Sequence, residues 1–250
     1  MKKRLGSVQK VSSFDLMPDR MIAKKYRVLS QLGAGWEGEV YKILEVNTKI
    51  ERAAKLFFPQ RNIRNKTSKR NAQKLHKLRY CPILIQYHTE EELIYKKMPV
   101  TVLISEYVEG QLLSEFLKSL PGKRMDPYQA LHLLYALVKG VEEIHLLNEY
   151  HGDLHTDNII VNKFGLRFEL KLVDLFHHTA PKDKTRQIDI LALIQIFHEC
   201  MGGQKWYAKM PQPAKYICCG LKGSLILKKF PTASQLREHL EQMEWMGTGA

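Results

Sequence analysis

The 250-residue chain is 44% hydrophobic and 26% charged, enough to bury a full core as one two-lobed unit or two small domains. No apolar run approaches the roughly 18 residues that cross a bilayer, and no apolar stretch follows the basic start Met1-Lys2-Lys3-Arg4, so this start is not expected to be a secretion signal. A net charge of +13 raises nucleic acid or another polyanion as a partner, while four cysteines without metal-ligand spacing point to reduced thiols in a cytoplasmic protein.

Residues 1–25 scatter Ser and Lys with little periodicity and read as an N-terminal extension with some helix. Residues 26–58 read as three antiparallel strands. The first two flank Leu32-Gly33-Ala34-Gly35-Trp36-Glu37-Gly38-Glu39-Val40, a G-x-G-x-x-G-x-V pattern. Glycine lets backbone approach phosphates closely. A strand and not a helix follows, so the loop sits in a hairpin and not at a dinucleotide turn. The third strand, Arg52–Phe58, carries one lysine, Lys55, among apolar residues.

A helix is predicted over 66–79, with Leu75 and Leu78 inward. Between Arg61 and Arg79 stand eight Lys/Arg and no acid, a solvated face or a docking surface for an acidic or phosphorylated partner. No aromatics interleave with these charges, which argues against a nucleic-acid platform. Pro82–His88 and Thr101–Val108 read as two more strands, followed by a connector at Glu109-Gly110. The rest reads as mainly helical. Leu112–Leu120 is short and stopped by Pro121-Gly122. Asp126 and Pro127 are an N-cap and N1 pair opening a long helix, and Ile188–Met201 and Ser234–Met243 follow.

Between the long helix and Ile188 lies His151-Gly152-Asp153-Leu154-His155-Thr156-Asp157-Asn158, then a β-branched run, then Leu172-Val173-Asp174-Leu175-Phe176. Phosphoryl transfer needs a carboxylate to orient or deprotonate the acceptor and oxygen ligands for Mg²⁺ on the phosphates. Asp153, Asn158 and Asp174 are residues of that kind. Glycine loop, lysine, Asp…Asn and Asp occur in the order such chemistry requires.

In these motifs residues 26–242 resemble the protein-kinase-like superfamily, with bacterial eukaryotic-like Ser/Thr kinases the nearest in pattern. The His151–Asn158 loop is also similar to that of aminoglycoside-phosphotransferase-like kinases. The resemblance implies an α+β bilobal fold: an N-lobe over 26–108 with a five-stranded antiparallel sheet and one helix, and a mainly helical C-lobe over 109–250. It implies ATP and Mg²⁺ as cofactors and a protein or a small hydroxylated molecule as acceptor. It implies Asp153 as base or orienting group, Lys55 on the α- and β-phosphates, and Asn158 and Asp174 as metal ligands. Gly33, Gly35 and Gly38 would cover the phosphates, and Leu32, Val40, Ala53 and Ile160 would wall the adenine. Glu106 and Val108 would offer hinge backbone, with Ser105 as a small gatekeeper.

The chain also departs from that pattern. No acid lies between Lys55 and Glu90, so the helix carboxylate that pairs with the strand lysine is missing; Asn71 or Gln73 stands near its place, and Glu37 and Glu39 are candidate substitutes. Asp-Phe-Gly is Asp174-Leu175-Phe176, and Phe176 in the glycine place would lock Asp174 in one orientation. Only His177–Ile188 separate that motif from Asp189, so a long activation segment is absent. The arginine before the catalytic Asp is Gly152, the late arginine is Phe230, and the lysine near the transferred phosphate is His155. Asp189 matches a buried Asp that holds the catalytic-loop backbone. A Ser/Thr protein kinase, a small-molecule kinase and a nucleotide-binding pseudokinase all remain compatible with these residues.

Overall fold

The computed structural model describes residues 10–165 and 167–243, so the basic start at Met1–Arg4 lies outside the described residues. The chain forms two compact units, one from residues up to Arg79 together with Ile85–Val108, the other from Tyr80–Leu84 and Glu109 onward.

The first unit is built on β1 (Met21–Ile22), β2 (Tyr26–Ala34), β3 (Gly38–Glu45), β4 (Glu51–Phe57), β5 (Tyr87–Tyr95) and β6 (Met98–Glu106). They form one antiparallel sheet in the order β1-β2-β3-β4-β6-β5. The expected five strands gain a short sixth, β1, which pairs with the start of β2. The strand expected at Pro82–His88 starts later, at Tyr87. Leu84 instead makes an isolated parallel bridge with Leu172 inside the second unit.

Alternation assigns the two faces of this sheet. Tyr41, Ile43, Ala54, Leu56, Val102 and Ile104 are fully buried in one apolar cluster. Val40, Lys42, Ala53, Lys55, Leu103 and Ser105 therefore share the opposite face, and register pairs Val40 with Lys55, Lys55 with Leu103 and Ala53 with Ser105.

The apolar cluster is closed by residues preceding the sheet, which carry no helix over 10–20. Phe14 stacks on Phe58 at 5.3 Å and meets Tyr95 edge-on at 5.1 Å. Its N–H donates to both oxygens of buried Glu39, at 3.1 and 3.2 Å, and the Tyr41 hydroxyl donates to the same carboxylate at 2.5 Å. Burial and that bond raise the Tyr41 pKa, keeping the phenol protonated. The Gln60 side chain brackets Val11, accepting from its N–H at 3.1 Å and donating to its carbonyl at 2.6 Å. Gln60→Ala should therefore cost about 1 to 2 kcal/mol. Limited proteolysis should then cut near Val11 at protease doses that leave this N-terminal strap, residues 10–20, intact in wild type.

Helix α1 (Lys66–Lys77) starts where Asn62 Oδ1 accepts the Ser68 N–H at 3.1 Å. Leu78, just past its end, is buried as expected, but Leu75 is only half-buried. The buried positions within the helix are polar: Ser68, Asn71 and Lys74. Lys74 is therefore not part of an exposed cationic face, whereas Lys66, Lys69 and Arg70 are exposed.

The second unit holds α2 (Leu113–Ser119), α3 (Pro127–Leu146), α4 (Lys182–Cys200), α5 (Gln212–Cys218), α6 (Gly223–Lys229) and α7 (Ala233–Gln242). Asp126 caps α3 by accepting the Tyr128 N–H at 2.9 Å. Leu133, Leu134, Leu137, Val138, Val141 and Ile144 bury one side of α3, which packs on α4 and α7. Helix α4 begins six residues before the expected Ile188. A small sheet, β7 (Gln111–Leu112), β8 (Ile159–Phe164) and β9 (Arg167–Leu172), completes the unit, with β8 and β9 as its hairpin.

Candidate active site

In the first unit, the β2–β3 hairpin carries the glycine motif. Gly35 N–H donates to Gly38 O at 2.8 Å and closes the turn. Gly33 and Gly35 have open space where a Cβ would stand, so nothing local demands glycine there. Gly38 is different: a Cβ would lie 1.8 Å from Leu56 O, so β3 and β4 run too close at this point for any side chain. Leu32 is 45% exposed on β2. Val40, Ala53, Lys55 and Ser105 lie on the sheet face away from the apolar cluster, and Ser105 sits opposite Ala53.

Lys55 Nζ lies 2.9 Å from Glu37 Oε2, with both side chains 17% exposed. Of the two candidate acids, Glu37 is thus the one that meets the lysine, while Glu39 is committed to the N-terminal strap. At the end of β6, Glu106 exchanges two bonds with Gln86: its N–H donates to Gln86 O, and its carboxylate accepts the Gln86 N–H, both at 3.0 Å. Val108 closes the unit's chain.

In the second unit the loop from His151 to Asn158 is held from below by Asp189 on α4, which is wholly buried. One carboxylate oxygen accepts the Gly152 N–H at 2.8 Å, and the other accepts the His151 N–H at 2.8 Å and meets His145 Nε2 at 3.0 Å. Two charge-assisted backbone bonds fix the loop's entry. His151, also buried, bridges onward. Its Nε2 faces Val173 O at 2.9 Å, so that nitrogen is the donor, and Nδ1 accepts the Asp153 N–H at 3.3 Å.

Asp153 is exposed and bonded to Asn158, whose Nδ2 donates to Asp153 O at 2.8 Å and to Asp153 Oδ2 at 3.3 Å. With the amide nitrogen so engaged, Asn158 Oδ1 is the atom left to accept or ligate. His155 Nε2 lies 3.8 Å from Asp153 Oδ2. Register pairs Ile159 with Leu172, and Val173 N–H donates to Asn158 O at 3.0 Å, so the hairpin brings Asn158 and Asp174 to the same end. Ile160 follows on β8.

Asp174 takes a left-handed φ of 57°. Such a conformation is uncommon away from glycine but tolerated by Asp. It is enforced from both sides, by Val173 N–H on Asn158 O and Phe176 N–H on His151 O, each at 3.0 Å. The strained dihedral therefore falls on Asp174 itself and not on Phe176, whose ring leans edge-on against His178 at 5.0 Å.

Sequence reading missed Tyr150 and His178. His178 N–H donates to Tyr150 Oη at 3.1 Å, and His178 Nε2 donates to Gly152 O at 2.7 Å. Gly152 has φ 90°, and a Cβ there would come within 3.0 Å of both His178 and Phe176 O. The departure from arginine at this position thus has a local cause: His178 and Phe176 fill the space. No periodicity or motif marks such a pair. Among the described residues, no cluster of three or more His, Cys, Asp or Glu forms a metal cage.

The chain matches the protein kinase domain family over residues 26–210. It is 29% identical over 136 residues to the tyrosine-protein kinase SPK-1 of Girardia tigrina, covering 54% of this chain and 26% of that protein. It is 29% identical over 163 residues to the serine/threonine-protein kinase pkn2 of Myxococcus xanthus, covering 64% of this chain and 19% of that protein. The chain therefore spans about a fifth to a quarter of the length of these curated relatives. The crystal structure of the Mycobacterium tuberculosis PknI kinase domain superposes with a TM-score of 0.66 at 15% identity, over 91% of this chain and 99% of that one, which shows a shared fold. The expected α+β protein-kinase-like fold is borne out. By the match across most of its length, this chain belongs to the protein kinase domain family.

Proposed function

We propose that the chain is an ATP- and Mg²⁺-dependent phosphotransferase acting on serine or threonine hydroxyls of protein. The observation that carries this reading is the loop geometry: Asp153 is exposed, bonded to Asn158, and braced through His151 and Gly152 by buried Asp189. Asp153 orients the acceptor hydroxyl and takes its proton. His155, beside it, donates to the transferred phosphate. Lys55 meets the α- and β-phosphates under the backbone of Gly33, Gly35 and Gly38. Leu32, Val40, Ala53 and Ile160 contact the adenine, Glu106 and Val108 offer backbone groups to its edge, and Ser105 leaves room behind it.

Asn158 and Asp174 suit Mg²⁺. They are hard oxygen donors, and the Asn158 amide is turned so that its oxygen is available. Mg²⁺ typically takes only one or two protein carboxylates and completes its shell with phosphates and water, so a larger cage is not needed. When bound, the ion neutralises phosphate charge.

A second reading, transfer to a small hydroxylated molecule, is favoured by one observation. Helix α4 starts at Lys182, leaving only His177–Pro181 after the Asp174-Leu175-Phe176 motif. So shortened an activation segment offers little platform for a peptide. The exposed Lys66, Lys69 and Arg70 of α1 suit an acidic or phosphorylated partner. Four free cysteines suit a cytoplasmic setting.

Nucleotide binding is the first test. At about 100-fold excess over Kd, linkage supplies roughly 2.7 kcal/mol. At this size that is a rise in melting temperature of about 5 to 10 °C. An unmoved melting curve at millimolar MgATP would remove both readings.

A further inference from the structure

The lysine of β4 has its carboxylate in an unusual place. No residue of α1 carries an acid, yet Lys55 Nζ is 2.9 Å from Glu37 Oε2. Glu37 belongs to the turn between β2 and β3, two residues after Gly35 and one before Gly38.

That turn is anchored, which makes the contact more than a chance surface pair. Glu37 O accepts the Phe58 N–H at 2.9 Å, tying the turn to the end of β4. Gly35 N–H closes the turn on Gly38 O. At Gly38 the backbones of β3 and β4 approach so closely that a Cβ would strike Leu56 O, next to Lys55. Beside it, the Arg61 guanidinium stacks on Trp36 at 3.9 Å. The side chains of Glu37 and Lys55 are both 17% exposed, so their attraction is less screened than that of an open ion pair.

We propose that Glu37 is the positioning residue for Lys55, so that the lysine is aimed from the glycine-loop turn and not from α1. The inference rests on the phosphotransferase reading. Its consequence is regulatory. The pair joins the glycine-loop turn to β4, so this contact needs no carboxylate from α1 and should persist when α1 is displaced. The pair also sets the Glu37 carboxylate directly against the ammonium that meets phosphate. Removing only the lysine leaves an uncovered carboxylate facing phosphate.

The test measures Kd for MgATP by calorimetry on wild type, Lys55→Met, Glu37→Gln and the double variant, with kcat and KM measured on wild type and Glu37→Gln. Glu37→Gln keeps the side chain's size and removes its charge, and a thermal melt confirms folding of each protein. Glu37→Gln should lower kcat by about 10²-fold, the cost of a misplaced group, while Kd stays within about 3-fold. Lys55→Met should weaken MgATP by about tenfold in the wild-type background, and by less than about threefold where Glu37 is already Gln, because coupled residues are not additive. Equal Lys55→Met effects in both backgrounds, or an unchanged kcat in Glu37→Gln, would overturn the positioning role alone. Absence of MgATP binding to the wild-type chain would overturn the phosphotransferase reading and this inference together.

Discussion

Asp153→Asn should lower turnover by about 10²- to 10⁴-fold, the range general-base assistance supplies, and leave MgATP affinity nearly unchanged. Asn has the shape of Asp and still offers an oxygen to Asn158 Nδ2, which lies 3.3 Å from Asp153 Oδ2, so the loop should keep its form. It has no carboxylate to take a proton or to orient a hydroxyl by charge. The loss should therefore appear in kcat, measured at saturating MgATP, with Kd by calorimetry as the control. Equal turnover in the two proteins would remove Asp153 from the chemistry. A parallel collapse of nucleotide affinity would mean that the residue only shapes the loop.

Asp189→Ala should be the most destabilising of the single changes considered, at roughly 3 to 5 kcal/mol. The carboxylate is wholly buried and receives the His151 and Gly152 N–H groups and His145 Nε2. Alanine leaves two buried backbone donors and an imidazole without an acceptor in a place water does not reach. Each orphaned donor costs about 1 to 3 kcal/mol. Urea melts should show the loss, together with a fall in melting temperature on the order of 10 °C. Asp189→Asn, which keeps one acceptor oxygen, should fall between. A loss below about 1 kcal/mol for alanine would show that the loop finds other support.

The residues legible from sequence are those whose chemistry dictates spacing. Gly33 to Gly38, Lys55, Asp153, Asn158 and Asp174 stand out because their order matches the pattern that phosphate handling would require. Helix α3 was readable from its apolar repeat and its Asp126-Pro127 start. The strap was not. Phe14 packs on Phe58 and Tyr95, partners remote in sequence, and so leaves no local period. Helix α4 begins in Lys182-Asp183-Lys184, which reads as a polar linker until Pro181 is seen to start it. Buried Lys74 reads as a surface charge because its neighbours Lys69, Arg70 and Lys77 are surface charges. Choosing Glu37 over Glu39 required geometry, since the two lie two residues apart but on different sides of the hairpin's chemistry.

The most direct test is to incubate the chain with ATP labelled at the γ-phosphate and Mg²⁺, alone and with a generic protein substrate, beside Asp153→Ala. Label should pass to serine or threonine of the acceptor, require Mg²⁺, and vanish in Asp153→Ala. No label above that of Asp153→Ala in either arm, from a folded chain that binds MgATP, would contradict the assignment of a serine/threonine protein kinase.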